Sequence, residues 1–69
     1  MNHYRIIVRD DEYEEAFICV GRFLSLLDNK NQRVKIVKKK AQEYVVTMPL
    51  SVVETVKNHG DVIEVIGMI

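Results

Sequence analysis

Residues 33–48 read RVKIVKKKAQEYVVTM, and the shape of the whole chain turns on them. From Arg33 to Lys39 the residues alternate, with Val34 and Ile36 on one side and Arg33, Lys35 and Val37 on the other. Period two is the mark of a strand with one face buried. Glu43–Met48 is a second β-branched run, with Tyr44, Val46 and Met48 sharing a side. Between them lies only a polar turn, Lys39-Lys40-Ala41-Gln42, so the two runs predict a hairpin. Pro49 cannot donate to a sheet ladder and ends it.

On the N-terminal side of this hairpin the period is helical. Tyr13, Ala16, Phe17, Val20, Leu24 and Leu27 follow the i, i+3, i+4, i+7 pattern and form one stripe, which Cys19, Phe23 and Leu26 widen on a flank. Asp11 and Glu14 have the spacing of a capping box, and the acids around them suit the positive end of a helix dipole. Asp28-Asn29-Lys30-Asn31 stops the helix, asparagine being tolerant of the left-handed conformation. Before the acids, His3–Arg9 alternates with Tyr4, Ile6 and Val8 on one side, a further strand.

Beyond Pro49, Ser51-Val52-Val53-Glu54 has the S-x-x-E spacing of a second capping box, and Gly60 marks the end of a short helix over 52–58. Val62–Ile66 is strand-like, with Ile63 and Val65 expected to face inward and Gly67 to interrupt the strand. The order strand, helix, strand, strand, helix, strand predicts the ferredoxin-like α+β sandwich: a four-stranded antiparallel sheet with both helices on one face. That fold hosts many functions and assigns none.

Composition narrows the classes. The 69 residues are expected to form one domain over 1–69, with 48% apolar residues, 29% charged residues and no linker. Ten basic and ten acidic residues cancel, yet five acids fall within 10–15 and six bases within 30–40. One cysteine excludes a disulfide framework and a four-cysteine zinc site, and Cys19 is expected to be a buried structural thiol. No apolar run reaches membrane-span length and the first 15 residues are too charged for a signal peptide, so a cytoplasmic location is expected. No nucleophile elbow, H-E-x-x-H pair or glycine-rich phosphate loop is present, and His59 is placed at a helix C-terminus. No enzyme activity, metal or cofactor is expected.

The uncovered sheet face carries more information. It would combine an apolar patch of Ile7, Val45 and Ile66, with Met68 as an outlying member, and the bases Arg5, Arg9, Arg33 and Lys35. Such a face is greasier than a solvated antiparallel sheet needs. These seven residues (Met68 aside) are the expected partner-binding surface of a small regulator, adaptor or inhibitor. It would act through its open sheet face or a sheet edge, or form a homodimer. Ile18, opposite the helix stripe, is a second exposed apolar residue. Two other functions fit the element order. Lys38, Lys39 and Lys40 at the hairpin would serve a nucleic-acid-binding module, although RNA-recognition domains of this fold stack bases on sheet aromatics, and here Tyr4 and Tyr44 face inward. Amino-acid-sensing ACT-type modules resemble the chain in size and order, but usually have a glycine-bearing turn after the first strand, where this chain has Asp10-Asp11-Glu12.

Overall fold

Alternating strands with one apolar side can bury it only by pairing edge to edge under a helical layer. In the computed structural model, which describes residues 2–68, they do so. The order is β1 (Asn2–Val8), α1 (Glu15–Asn29), β2 (Lys35–Lys40), β3 (Glu43–Met48), α2 (Leu50–Lys57) and β4 (Val62–Met68). The four strands form one sheet in the order β2-β3-β1-β4, every neighbouring pair antiparallel. This is the ferredoxin-like α+β fold. Ile6, Val46 and Met48 from the sheet, Val20 and Leu24 from α1, and Val52 and Val56 from α2 join one buried cluster, so both helices cover the same face. No buried side-chain polar atom among the described residues lacks a hydrogen-bond partner. No helix among them is long and apolar enough to cross a membrane.

The helix ends depart from the simple capping rules. Asp11 does cap α1, its carboxylate accepting the N–H groups of Glu15 at 2.9 Å and Ala16 at 3.2 Å. Glu14, however, is left-handed at φ 56°, so the helix begins beyond it. Tyr13 therefore stands outside the helix and is 73% exposed rather than part of the stripe. Leu26 and Cys19, expected on the flank of the buried stripe, are exposed as well. At its C-terminus α1 closes as expected. Asn31 is left-handed at φ 61°, and the N–H groups of Asn31 and Gln32 reach back to the carbonyls of Asp28 and Leu27, the Schellman pattern. In α2 the S-x-x-E box does not form. Pro49, with φ −73°, takes the cap position and Ser51 is already helical. The hydrogen bond of the His59 ring goes to the turn that follows, Nδ1 accepting the Asp61 N–H at 3.1 Å.

Two register shifts re-aim side chains. Between β1 and β4, Ile7 opposes Glu64 but Val8 opposes Val62, so Ile63 is an extra residue. The slip sends Val62 to the core and leaves Ile63 65% exposed, reversing the expected inward assignment of Ile63. Gly67 does not interrupt β4, which continues to Met68 with Gly67 opposite Tyr4. Between β2 and β3, Ile36 opposes Val46 and Lys38 opposes Val45, which leaves Val37 unpaired. The hairpin turn is tighter than expected, only Ala41 and Gln42, with Gln42 left-handed at φ 61°.

Candidate protein-interaction surface

On the open face of the sheet, Arg5 of β1 and Glu43 of β3 lie on the same side as Ile7 and Val45. Their side chains meet there, Arg5 donating from Nη2 at 2.6 Å and from Nε at 3.0 Å to Glu43 Oε1. Glu43 is only 8% exposed although no helix covers it. The Arg5 hydrogen bond is the main cause that holds its carboxyl below the usual range, and burial opposes it. Ile7, Val45 and Ile66 are half-buried around this pair. The predicted apolar patch thus exists, but its centre is an ion pair already satisfied within the chain.

The other predicted bases are scattered. Arg9 lies one residue past β1, and its Nε binds Asp61 Oδ1 at 2.7 Å while a second nitrogen sits 3.6 Å from Asp11. That contact also keeps the Asp61 carboxyl below its ordinary value. Arg33, expected on the strand face, is left-handed at φ 60° in the loop before β2 and is not a sheet residue, a correction to the predicted surface. Lys35 pairs with Asp28 at 3.1 Å. The expected basic stripe on the sheet is therefore broken, because the chain's own acids neutralise most of it.

The β2 edge has a different character. The bulge at Val37 places Lys38 and Lys40 on the open face, and turns Lys39, opposite buried Tyr44, to the helix side. None of these three lysines has an acidic partner among the described ion pairs. Beside this edge runs a groove of about 480 Å³ between β2 and α1. Phe17, Ile36 and Tyr44 line it together with Ile18 and Leu26, which are 51% and 49% exposed, and Lys39 and Arg22 add positive charge. Tyr44 shapes the groove. Its ring stacks on Phe17 with centroids 4.3 Å apart, and its hydroxyl donates to the Phe17 carbonyl at 2.7 Å. Gly21 makes room for that hydroxyl, since a Cβ there would collide with it. Desolvation raises the Tyr44 phenol above its ordinary pKa.

Sequence reasoning singled out Ile18 and the lysines but missed the groove that joins them. Leu26 was legible as apolar, but its exposure depends on where α1 crosses the sheet. A second hollow, of about 350 Å³ between the β1–α1 loop and the hairpin tip, has Asp10, Asp11 and Glu14 facing Lys39 and Lys40. Tyr4 and Tyr44 are buried under the helices, and Phe17 and Phe23 belong to α1, so the open face has no aromatic platform among the described residues. Comparison with protein-family models, curated proteins and solved structures finds no match, and the site is read from its geometry alone.

Proposed function

We propose that this chain is a small, non-enzymatic protein-interaction module, a regulator, adaptor or inhibitor in the cytoplasm, that adds an extended acidic segment of a partner protein to the β2 edge. The observation that carries this reading is the meeting of an open strand edge, an apolar groove and three unpaired lysines. A strand added beside β2 alternates its side chains between the two faces of the sheet. One set enters the groove against Ile18, Leu26 and Ile36; the other meets Lys38 and Lys40. The favoured ligand therefore alternates apolar and acidic residues. The bulge at Val37 limits continuous pairing to the Lys38–Lys40 end of the edge.

A symmetric dimer through β2 is disfavoured because it sets the same lysines against each other. A homodimer through the open face would bury Ile7, Val45 and Ile66 over two copies of the Arg5–Glu43 pair, and is the competing mode. Nucleic acid is a weaker fit, since lysine–phosphate contacts without stacking give salt-sensitive, sequence-blind binding. The mixed-charge hollow beside the hairpin is where an ACT-like amino-acid ligand would sit.

Selection from a displayed library of random octapeptides tests the reading. Enrichment of alternating apolar and acidic residues, lost in Ile18→Asp and in the Lys38, Lys39, Lys40→Glu triple variant, is the expected result. No enrichment, or enrichment that survives both variants, overturns it. A dimeric mass by light scattering that Ile7→Asp returns to monomer would move the interface to the open face. A thermal shift with one amino acid in a panel would favour the sensor.

A further inference from the structure

Where α1 meets the turn from α2 to β4, two distant parts of the chain bring three metal-ligating side chains together. Cys19 is exposed on α1, and His59 and Asp61 flank Gly60 in the turn from α2 to β4. One potential ligand atom from each lies within 4.8 Å of the other two. Two of the donors are also positioned by neighbours. The His59 ring packs against Phe23 with centroids 4.7 Å apart, and Arg9 Nε holds Asp61 Oδ1 at 2.7 Å, leaving Oδ2 outside that bond.

We propose that Cys19, His59 and Asp61 form a three-ligand site for a borderline-soft divalent cation of the Zn²⁺ class. Thiolate, imidazole and carboxylate are the donors zinc takes, whereas Mg²⁺ and Ca²⁺ demand all-oxygen shells. With zinc–ligand bonds of about 2.0–2.3 Å, tetrahedral donors stand about 3.6 Å apart. The three atoms therefore need to draw in by up to about 1.2 Å, which side-chain rotation supplies. Binding releases the Cys19 thiol proton to solvent, and the imidazole binds as the neutral ring. Because Nδ1 accepts the Asp61 N–H, coordination gives up that bond, either by using the Nδ1 lone pair or by moving the ring proton from Nε2 to Nδ1. Three protein ligands leave the fourth position to water or to a donor from a partner. Arg9 orients the Asp61 carboxylate from outside the ligand set. Because the ligands span α1 and the α2–β4 turn, the ion would bind the folded chain and not the unfolded one, and so stabilise the fold.

Co²⁺ titration of the reduced full-length protein is the test. A thiolate-to-cobalt charge-transfer band saturating at one equivalent and displaced by Zn²⁺ is expected, together with a rise in Tm on adding Zn²⁺. Cys19→Ser and His59→Gln should each weaken Co²⁺ binding at least about tenfold, and Asp61→Asn should weaken it measurably. His3→Gln, at the far end of β1, should change nothing. Independently of any variant, Zn²⁺ should slow alkylation of Cys19 by iodoacetamide in the wild-type chain. Absence of the charge-transfer band in the folded protein, or an unchanged band in both His59→Gln and Asp61→Asn, overturns the site, the latter because it leaves only a bare thiol.

Discussion

Ile6 and Ile7 are adjacent and chemically identical, yet Ile6 is fully buried beneath the helices while Ile7 is only partly buried beside Arg5 and Glu43. The two faces of the sheet that they represent are stabilised differently. Under the helices, Ile6, Val46, Met48, Val20 and Val56 contribute through apolar area removed from water, and the Tyr44 hydroxyl beside them is hydrogen-bonded. On the other side, one ion pair and a few half-covered aliphatic side chains suffice. Stability therefore resides on one face of this sheet. The other face and the β2 edge lie largely outside the buried cluster.

Truncating Ile6 should break this contrast most severely. Ile6→Ala is expected to cost about 2–5 kcal/mol through lost burial and the cavity left behind. A chain of this length commands about 3–10 kcal/mol in all, so the variant should be marginal at room temperature. Ile7→Ala should cost about 1 kcal/mol or less. Urea denaturation of the two variants measures both, and equal losses would mean that the open face is covered in solution.

Next comes the contact between the layers. Gly21→Ala should drive the Tyr44 hydroxyl from its place on α1 and cost about 1–3 kcal/mol by overpacking. Tyr44→Phe removes only the bond to the Phe17 carbonyl and should cost about 0.5–1.5 kcal/mol. If Gly21→Ala is harmless in the wild type, the close approach does not constrain the groove. If it is harmless only with Tyr44→Phe in place, the two residues act as one unit, which the double-mutant cycle would show as a non-additive difference.

Smaller still is an effect that depends on pH. Glu43 and Asp61 both have carboxyls held below their ordinary range by arginine hydrogen bonds. A folded-state pKa below the unfolded one stabilises the fold above the ordinary carboxylate range, and the contribution disappears as pH falls through the depressed value. Thermal melts should therefore show Tm declining in acid. Glu43→Gln should flatten part of that decline by lowering Tm slightly near neutrality and leaving the acid end unchanged, the change being small since Arg5 is 43% exposed and screened by water. An acid slope identical in wild type and variant would show that the Arg5–Glu43 pair contributes nothing to it.

Much of this was legible in the residues. The β1 set Tyr4, Ile6 and Val8 and the β3 set Tyr44, Val46 and Met48 are buried as their alternation predicts, and α1 buries Ala16, Val20, Leu24 and Leu27 from its stripe. Asp11 caps α1 and Asn31 ends it, each by a mechanism its side chain implies. Less of the candidate surface was visible. Arg5, Ile7, Val45 and Ile66 do share a face, but nothing in their spacing announces that Glu43 occupies its centre. Arg33 reads as a strand residue and is not one, because its left-handed backbone precedes the strand.

The element order, the apolar faces of β1, β3 and α1, and hence the architecture are legible segment by segment, because periodicity is a local property that each segment carries alone. Tertiary structure decided the phase of β2 and β4. A single extra residue, Val37 or Ile63, inverts the facing of everything on one side of it, and that choice is made by the partner strand. It also decided that Ile18 and Leu26 flank the β2 edge, and that Cys19 stands beside His59 and Asp61. Both are meetings of segments far apart in the chain, which only the packing of α1 on the sheet can bring about.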